Sequence, residues 1–268
     1  MKNPIENFKY AKIKRKLQRA YHYYFLDKFL FRESIKKLKQ KHSGGDIIIC
    51  ILHTIKNAQR VDYLKKHYHG NVDFLFYADY EDLDNNVYKV SNADYYESNE
   101  IKHINILNLI KQSEIYKKYS FVYFVDDDTY VSIINLKLFL EKFKDSKLSC
   151  IGQILQADTN PTNYVFKKYP DLKYPSGGAG YIMSADIFSN VQFKNFFTGY
   201  SDVSLGLNFN HFNNVRLIHS DLFNSQPPTF YKDSTDLQHE AISYHYIKTK
   251  QDFEACNILS KKSLSSVN

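Results

Sequence analysis

Three carboxylates stand side by side at Asp126, Asp127 and Asp128, directly after the apolar run Phe121-Val-Tyr-Phe-Val125. Adjacent carboxylates repel, and holding them beside an apolar strand costs free energy unless a cation neutralises them. In extended backbone, positions i and i+2 share a face, so Asp126 and Asp128 can both reach one ion, directly or through water. Hard oxygen ligands suit Mg2+ or Mn2+, which keep open positions for phosphate oxygens. Asp127 points elsewhere and can hydrogen-bond a ribose or a donor sugar. The competing reading is structural: an acidic turn that caps the helix starting near Ser132. A second stretch, Gly177-Gly178-Ala-Gly180, offers close backbone approach and positive φ. Its bland alternative is an ordinary loop.

These residues need elements to position them. Asp46-Ile-Ile-Ile-Cys-Ile-Leu-His53 is a continuous apolar run, the pattern of a parallel strand covered on both faces. A helix is expected over 57–67 and a strand over 72–78, ending at Asp79. Residues 80–98 are polar and read as loop with one short strand at most. Helical spacing runs over 101–118. The strand 121–125 enters the acidic triplet, a helix follows over 132–144, and another strand over 149–155. Strand and helix alternate, which predicts a doubly wound α/β sheet. In such sheets ligands bind outside the carboxyl ends of the strands, where the triplet lies.

Composition narrows the function. Residues 1–43 hold thirteen basic and three acidic residues, a local charge of +10, which leaves the rest of the chain at −3 out of the total of +7. The basic character belongs to an N-terminal arm, which argues against nucleic-acid binding by the main domain. In that arm Ile13, Leu17, Ala20, Tyr21, Tyr24 and Phe25 recur at three- and four-residue spacing, with Lys12, Arg15, Lys16 and Arg19 between them. Phe29, Leu30 and Phe31 extend the apolar side. Such a basic amphipathic helix either lies on an anionic membrane or packs on the protein body. Ser43-Gly44-Gly45 then divides an arm, 1–43, from a catalytic domain, 44–268. Three widely spaced cysteines, Cys50, Cys150 and Cys256, give no disulfide framework and no zinc motif. No run of 18 apolar residues is present, and the basic N-terminus lacks the apolar segment of a secretory signal. The high aromatic content, 16% with no Trp, reads chiefly as compositional bias. A sugar-stacking surface needs no more than two or three of these rings.

Phe124-Val-Asp-Asp-Asp-Thr-Tyr-Val131, Tyr174-Pro-Ser-Gly-Gly-Ala-Gly-Tyr181 and Ser201-Asp-Val-Ser-Leu-Gly206 together resemble the Fringe and core 1 galactosyltransferase family in order and spacing. The resemblance covers roughly residues 46–247. Ala241-Ile-Ser-Tyr-His-Tyr-Ile247 is a fourth match, nearer the galactosyltransferase branch. The resemblance implies an inverting β-1,3-glycosyltransferase of GT-A type, with a Rossmann-like, mostly parallel sheet and helices on both faces. It implies Mn2+ or Mg2+ and a UDP-sugar donor, and an acceptor glycan carried on lipid or protein in cell-surface glycan synthesis. The triplet would hold the metal and the donor diphosphate. Thr54 and Asp79 match positions near the donor nucleotide, and Arg60 and Lys102 are looser donor contacts. Gly177, Gly178 and Gly180 would lie beneath the transfer site. Asp202 matches the catalytic base, although it also suits the N-terminus of the helix at Val203.

Two departures matter. Counting from Asp202 places Gln226 where Fringe members carry a metal-binding His, and Gln is a poor ligand. His245 is the expected replacement, ahead of His219 and His239. Animal relatives also carry a membrane anchor and disulfides. Their patterns are missing here, so the expected location is cytoplasmic, peripheral on the membrane face. The alternatives are a catalytically inactive sugar-binding relative and a metal-dependent phosphohydrolase.

Overall fold

The computed structural model describes Lys14, Leu17, Tyr21 and residues 31–157, 164–210, 214–231 and 239–265. The expected apolar stripe of the arm lies mostly outside the described residues. The last part of the arm, Phe31–Lys41, forms helix α1.

The central sheet has seven strands: β1 (Gly45–Leu52), β2 (Asp73–Ala78), β3 (Val87–Lys89), β4 (Tyr119–Asp126), β5 (Ser149–Gly152), β6 (Tyr181–Ser184) and β7 (Arg216–His219). Their order is β7-β5-β6-β4-β1-β2-β3. Strands β3, β2, β1 and β4 run parallel. Strand β6 is antiparallel to both neighbours, β4 and β5. The packing helices are α2 (Val61–Tyr68), α3 (Asn99–Ser113), α4 (Ile133–Glu141), α5 (Ser201–Asn210) and α6 (Lys250–Ser265).

Strand β1 explains the two layers. Its side chains alternate across the sheet. Ile48, Cys50 and Leu52 pack with Leu38 of α1, Ile104 and Leu107 of α3 and Leu205 of α5. Ile47, Ile49 and Ile51 pack on the other side with Leu64 of α2, Leu136 of α4 and Phe253 of α6. Burying one such aliphatic or aromatic side chain is worth about 1.5–3 kcal/mol, so both faces drive the fold. The mixed α/β sheet with helices on both faces matches the expected fold class. Cys50, Cys150 and Cys256 are free and buried.

Several boundaries differ from the sequence expectation, and three of the differences bear on the site or the sheet. Residues Ile55–Arg60 form a tight 3-10 segment ahead of α2, with a kink at Asn57. The helix expected over 101–118 begins earlier, at Asn99, and ends at Ser113, because Glu114 takes a left-handed backbone with φ 56°. The strand expected over 149–155 breaks at Gln153; Ile154–Gln156 leaves the main sheet to pair with Lys173–Pro175.

Candidate active site

Parallel pairing sets Leu52 beside both Asp126 and Tyr77, so the carboxyl ends of β1, β2 and β4 share one edge. Because β6 runs the other way, its entry lies at that same edge, with Tyr181 paired to Phe124. The glycine loop thereby comes to rest beside the triplet. Thr129 Oγ1 donates to the Gly178 carbonyl at 2.8 Å, and the Gly180 amide closes a turn on the Gly177 carbonyl at 3.0 Å. Gly180 has φ +77°, and a Cβ there would lie 2.7 Å from Val125 Cγ1.

A second ladder of three short strands completes the site. Ser243–Tyr244 pairs with Phe223–Asn224 on one side and with Tyr130–Val131 on the other. The Ile247 amide donates to the Asp128 carbonyl at 2.8 Å. This registry delivers His245 to the triplet: its Nε2 is 3.2 Å from Asp128 Oδ1 and 3.8 Å from Asp126 Oδ2. One ligand atom from each of Asp126, Asp128 and His245 lies within 4.8 Å of the others. Gly178 makes room for the imidazole, since a Cβ there would sit 2.2 Å from His245 Nδ1.

The charges in this group are out of balance. Burial pushes the Asp126 carboxyl up to about 7, and the neighbouring Asp128 charge adds to that effect. Burial opposes the charge on His245, but its hydrogen bond to Asp128 and the nearby carboxylates outweigh it and raise the imidazole above its ordinary value. Burial likewise opposes the Asp128 charge, but His245 and Arg60 pull that carboxyl below the usual range. Two oxygen ligands and one nitrogen that crowd in this way fit a divalent cation of the Mn2+ or Mg2+ kind.

Asp127 faces the other way and is only 6% exposed. Its carboxylate accepts from the Arg60 guanidinium, from Asn57 Nδ2 at 3.1 and 3.3 Å, and pairs with His53 Nδ1 at 2.7 Å. The kinked 3-10 segment is what brings Asn57 and Arg60 there. Arg60 and Asp127 therefore meet each other inside the wall of the cleft. Lys102 and Asp79 form a buried ion pair at 3.3 Å, and Asp79 Oδ1 also accepts the Ile55 amide at 3.3 Å. Thr54 Oγ1 donates to Asp94 Oδ1 at 3.1 Å.

Two cavities meet at the metal-type cluster. The first, about 520 Å³, is lined by Thr54, Lys56, Arg60, Lys102, Asp126 and Lys248 among others. The second, about 280 Å³, is lined by Gly177, Gly178, Asp202, Gln226 and Tyr200 among others. Asp126, His245, Tyr96, Asn99 and Tyr246 belong to both. Asp202 lies in the first turn of α5. Its carboxylate accepts the Val203 amide at 2.8 Å and the Gly177 amide at 3.4 Å. Burial raises its pKa, partly offset by these two amides.

The structure therefore brings Asp126, Asp128 and His245 together and sets Gln226 in the second cavity. His219 pairs instead with Asp221 at 2.9 Å on the surface, and His239 contacts the Leu259 carbonyl at 3.4 Å. Sequence reasoning passed over His53, Asn57, Asp94, Tyr96, Asn99 and Lys248. His53 and Asn57 carried one usable signal, their place just after β1.

Clustered carboxylates at the carboxyl edge of an α/β sheet, with a carboxylate-lined cavity beside them, stand where sheets of this class bind their ligands. The Fringe-like family profile matches residues 43–264, and the chain belongs to that family; it is a glycosyltransferase. Among solved structures, a glycosyltransferase involved in the glycosylation of the major capsid of PBCV-1 is similar at 14% identity and a TM-score of 0.39, over 79% of this chain and 100% of that one. No curated protein matches the chain.

Proposed function

We propose that this glycosyltransferase moves a sugar from a UDP-sugar to a hydroxyl of a glycan acceptor, with inversion and with the help of Mn2+ or Mg2+. The observation that carries the reading is the cluster of Asp126, Asp128 and His245, of which Asp126 and His245 line both cavities, the first holding Asp128 and several Lys and Arg side chains and the second Asp202. The first cavity carries Lys56, Arg60, Lys102 and Lys248 beside Asp94 and the acidic triplet, and a cation on the triplet would tip that balance toward a diphosphate. Asp126, Asp128 and His245 would hold the cation, which would offset the charge of the departing diphosphate. Asp202 would take the proton from the acceptor hydroxyl as it attacks the anomeric carbon. Asp127 and Arg60 would fix the cleft wall, and Asp79, Lys102 and Thr54 would frame the nucleotide. UDP and a β-1,3 linkage are what the family resemblance implies.

The test is incubation of the pure protein with Mn2+ and a panel of UDP-sugars. Slow donor hydrolysis without acceptor supports the transferase. Donor binding without any turnover would identify an inactive relative. Cleavage of simple phosphate esters would identify a phosphohydrolase.

A further inference from the structure

Three tyrosines crowd the cavity that holds Asp202, and all are unusually open: Tyr96 is 74% exposed, Tyr200 49% and Tyr246 47%. Tyr96, Tyr200 and Tyr246 line this one cavity together with Asp126 and Asp202. Tyr246 is fixed from behind. Its backbone is left-handed at φ 62°, and its ring stacks on His245 at 3.9 Å. Tyr96 and Tyr200 present their rings to solvent.

The two segments that carry Tyr96 and Tyr200 are tied together. Tyr96 lies in the turn Tyr96–Ser98 that enters α3. Two residues further on, Glu100 is fully buried. Its carboxylate accepts the Thr198 amide at 3.0 Å and the Gly199 amide at 2.6 Å. Thr198 Oγ1 then takes the Tyr200 amide at 3.0 Å and donates to the Tyr200 carbonyl at 2.8 Å. A buried charge with such partners is a rigid tether. It ties the loop of Tyr200 to the turn of Tyr96.

Charge selects the occupant. The described lining of this cavity contains Asp126 and Asp202 but no Lys or Arg, and its His245 faces Asp128. With a cation on Asp126, Asp202 is the charge left in this lining, and it would repel an anionic ligand. A pyranose offers one flat C–H face to an aromatic ring and a rim of hydroxyls to carboxylates and amides. We propose that this cavity is an acceptor subsite for an uncharged pyranose, gripped by Tyr96 and Tyr200 with Glu100 setting their separation, and that it rejects anionic sugars. The proposal rests on the transferase reading above.

The experiment is ligand-observed NMR on full-length protein with UDP and Mn2+. The neutral probes are methyl pyranosides of galactose, glucose, N-acetylglucosamine and fucose; the anionic ones are methyl glucuronide and methyl N-acetylneuraminide. At least one neutral glycoside should bind, with saturation concentrated on its ring protons, and the anionic ones should not. Tyr200→Ala and Tyr200→Leu should weaken that binding about fivefold or more, while Tyr200→Phe retains it. Leu keeps apolar bulk without the flat ring, so it separates stacking from simple packing. Glu100→Gln should weaken the same glycoside without touching it, while Tyr200→Phe stays the conservative control. Absence of neutral binding, preference for an anionic probe, or full affinity in both Tyr200→Ala and Tyr200→Leu would overturn the subsite. Calorimetry of UDP on wild-type protein reads the donor side separately: failure there overturns the transferase reading instead.

Discussion

Asp202 is half-buried, with the amides of Gly177 and Val203 on its oxygens. A base in that position must be unprotonated to work, and burial raises its pKa. Turnover should therefore fall as pH drops through that raised value, above the range near 4 where an exposed carboxylate titrates. Asp202→Asn should keep UDP binding and lower turnover by about 10²-fold or more. Wild-type turnover in that variant would leave Asp202 as a helix-start residue. The metal-type cluster makes a ranking. His245→Ala should weaken Mn2+ binding in calorimetry more than Gln226→Ala does, because His245 is 3.2 Å from Asp128 whereas Gln226 lines the second cavity. The reverse order would remove His245 from the site. The triplet was legible in sequence because three adjacent acids at a strand end demand an explanation. The Asp127 partners were not, since His53, Asn57 and Arg60 meet it only across β1 and β4.

Elements rather than single side chains decide whether His245 arrives. The glycine loop is clasped on two sides: Thr129 holds the Gly178 carbonyl and Ser243 Oγ holds the Ala179 carbonyl at 2.5 Å. A methyl at position 178 would fall 2.2 to 2.3 Å from two imidazole atoms. Gly178→Ala should therefore reduce metal-dependent UDP affinity about tenfold or more, comparable with His245→Ala, while the far-UV circular dichroism stays that of the wild type. Normal affinity would mean that the imidazole moves aside freely. Strand β1 and the strand before the triplet were readable from their apolar runs alone. The split of the segment after β1 was not, because its 3-10 geometry answers to Asp127, which local periodicity cannot register. The break at Gln153 has the same origin, since residues 154–156 turn away to a partner at 173–175.

At the scale of the molecule, the arm and the body are joined more closely than charge alone suggests. Leu38 of α1 is fully buried, and Lys118 Nζ donates to the His42 carbonyl at 2.7 Å. Residues 31–41 therefore belong to the packed body. No helix among the described residues is long and apolar enough to cross a membrane. Contact between the remaining basic arm and an anionic membrane is a separate proposal, as is a cytoplasmic location. It predicts that protein beginning at Phe31 stays folded and active on a soluble acceptor but loses low-salt binding to phosphatidylserine vesicles; each basic residue near such a surface is worth about 1 kcal/mol. Full-length protein that ignores these vesicles would end the idea.

The short ladder that carries His245 has a consequence in time. Asp128 and His245 come from opposite halves of the chain, and they meet only when Ser243–Tyr244 closes against Tyr130–Val131. Contacts between distant segments carry a large loop-closure entropy, and folds rich in them form slowly. The β1–β2–β4 core is assembled from nearer neighbours. On refolding from denaturant, the peptide circular dichroism signal should thus recover first, and Mn2+-dependent UDP binding should lag behind it. Simultaneous recovery would mean that the ladder is already closed in the folding nucleus. If the lag is seen, the enzyme acquires its shape before its chemistry, and a newly made chain passes through a period in which it is folded but inert.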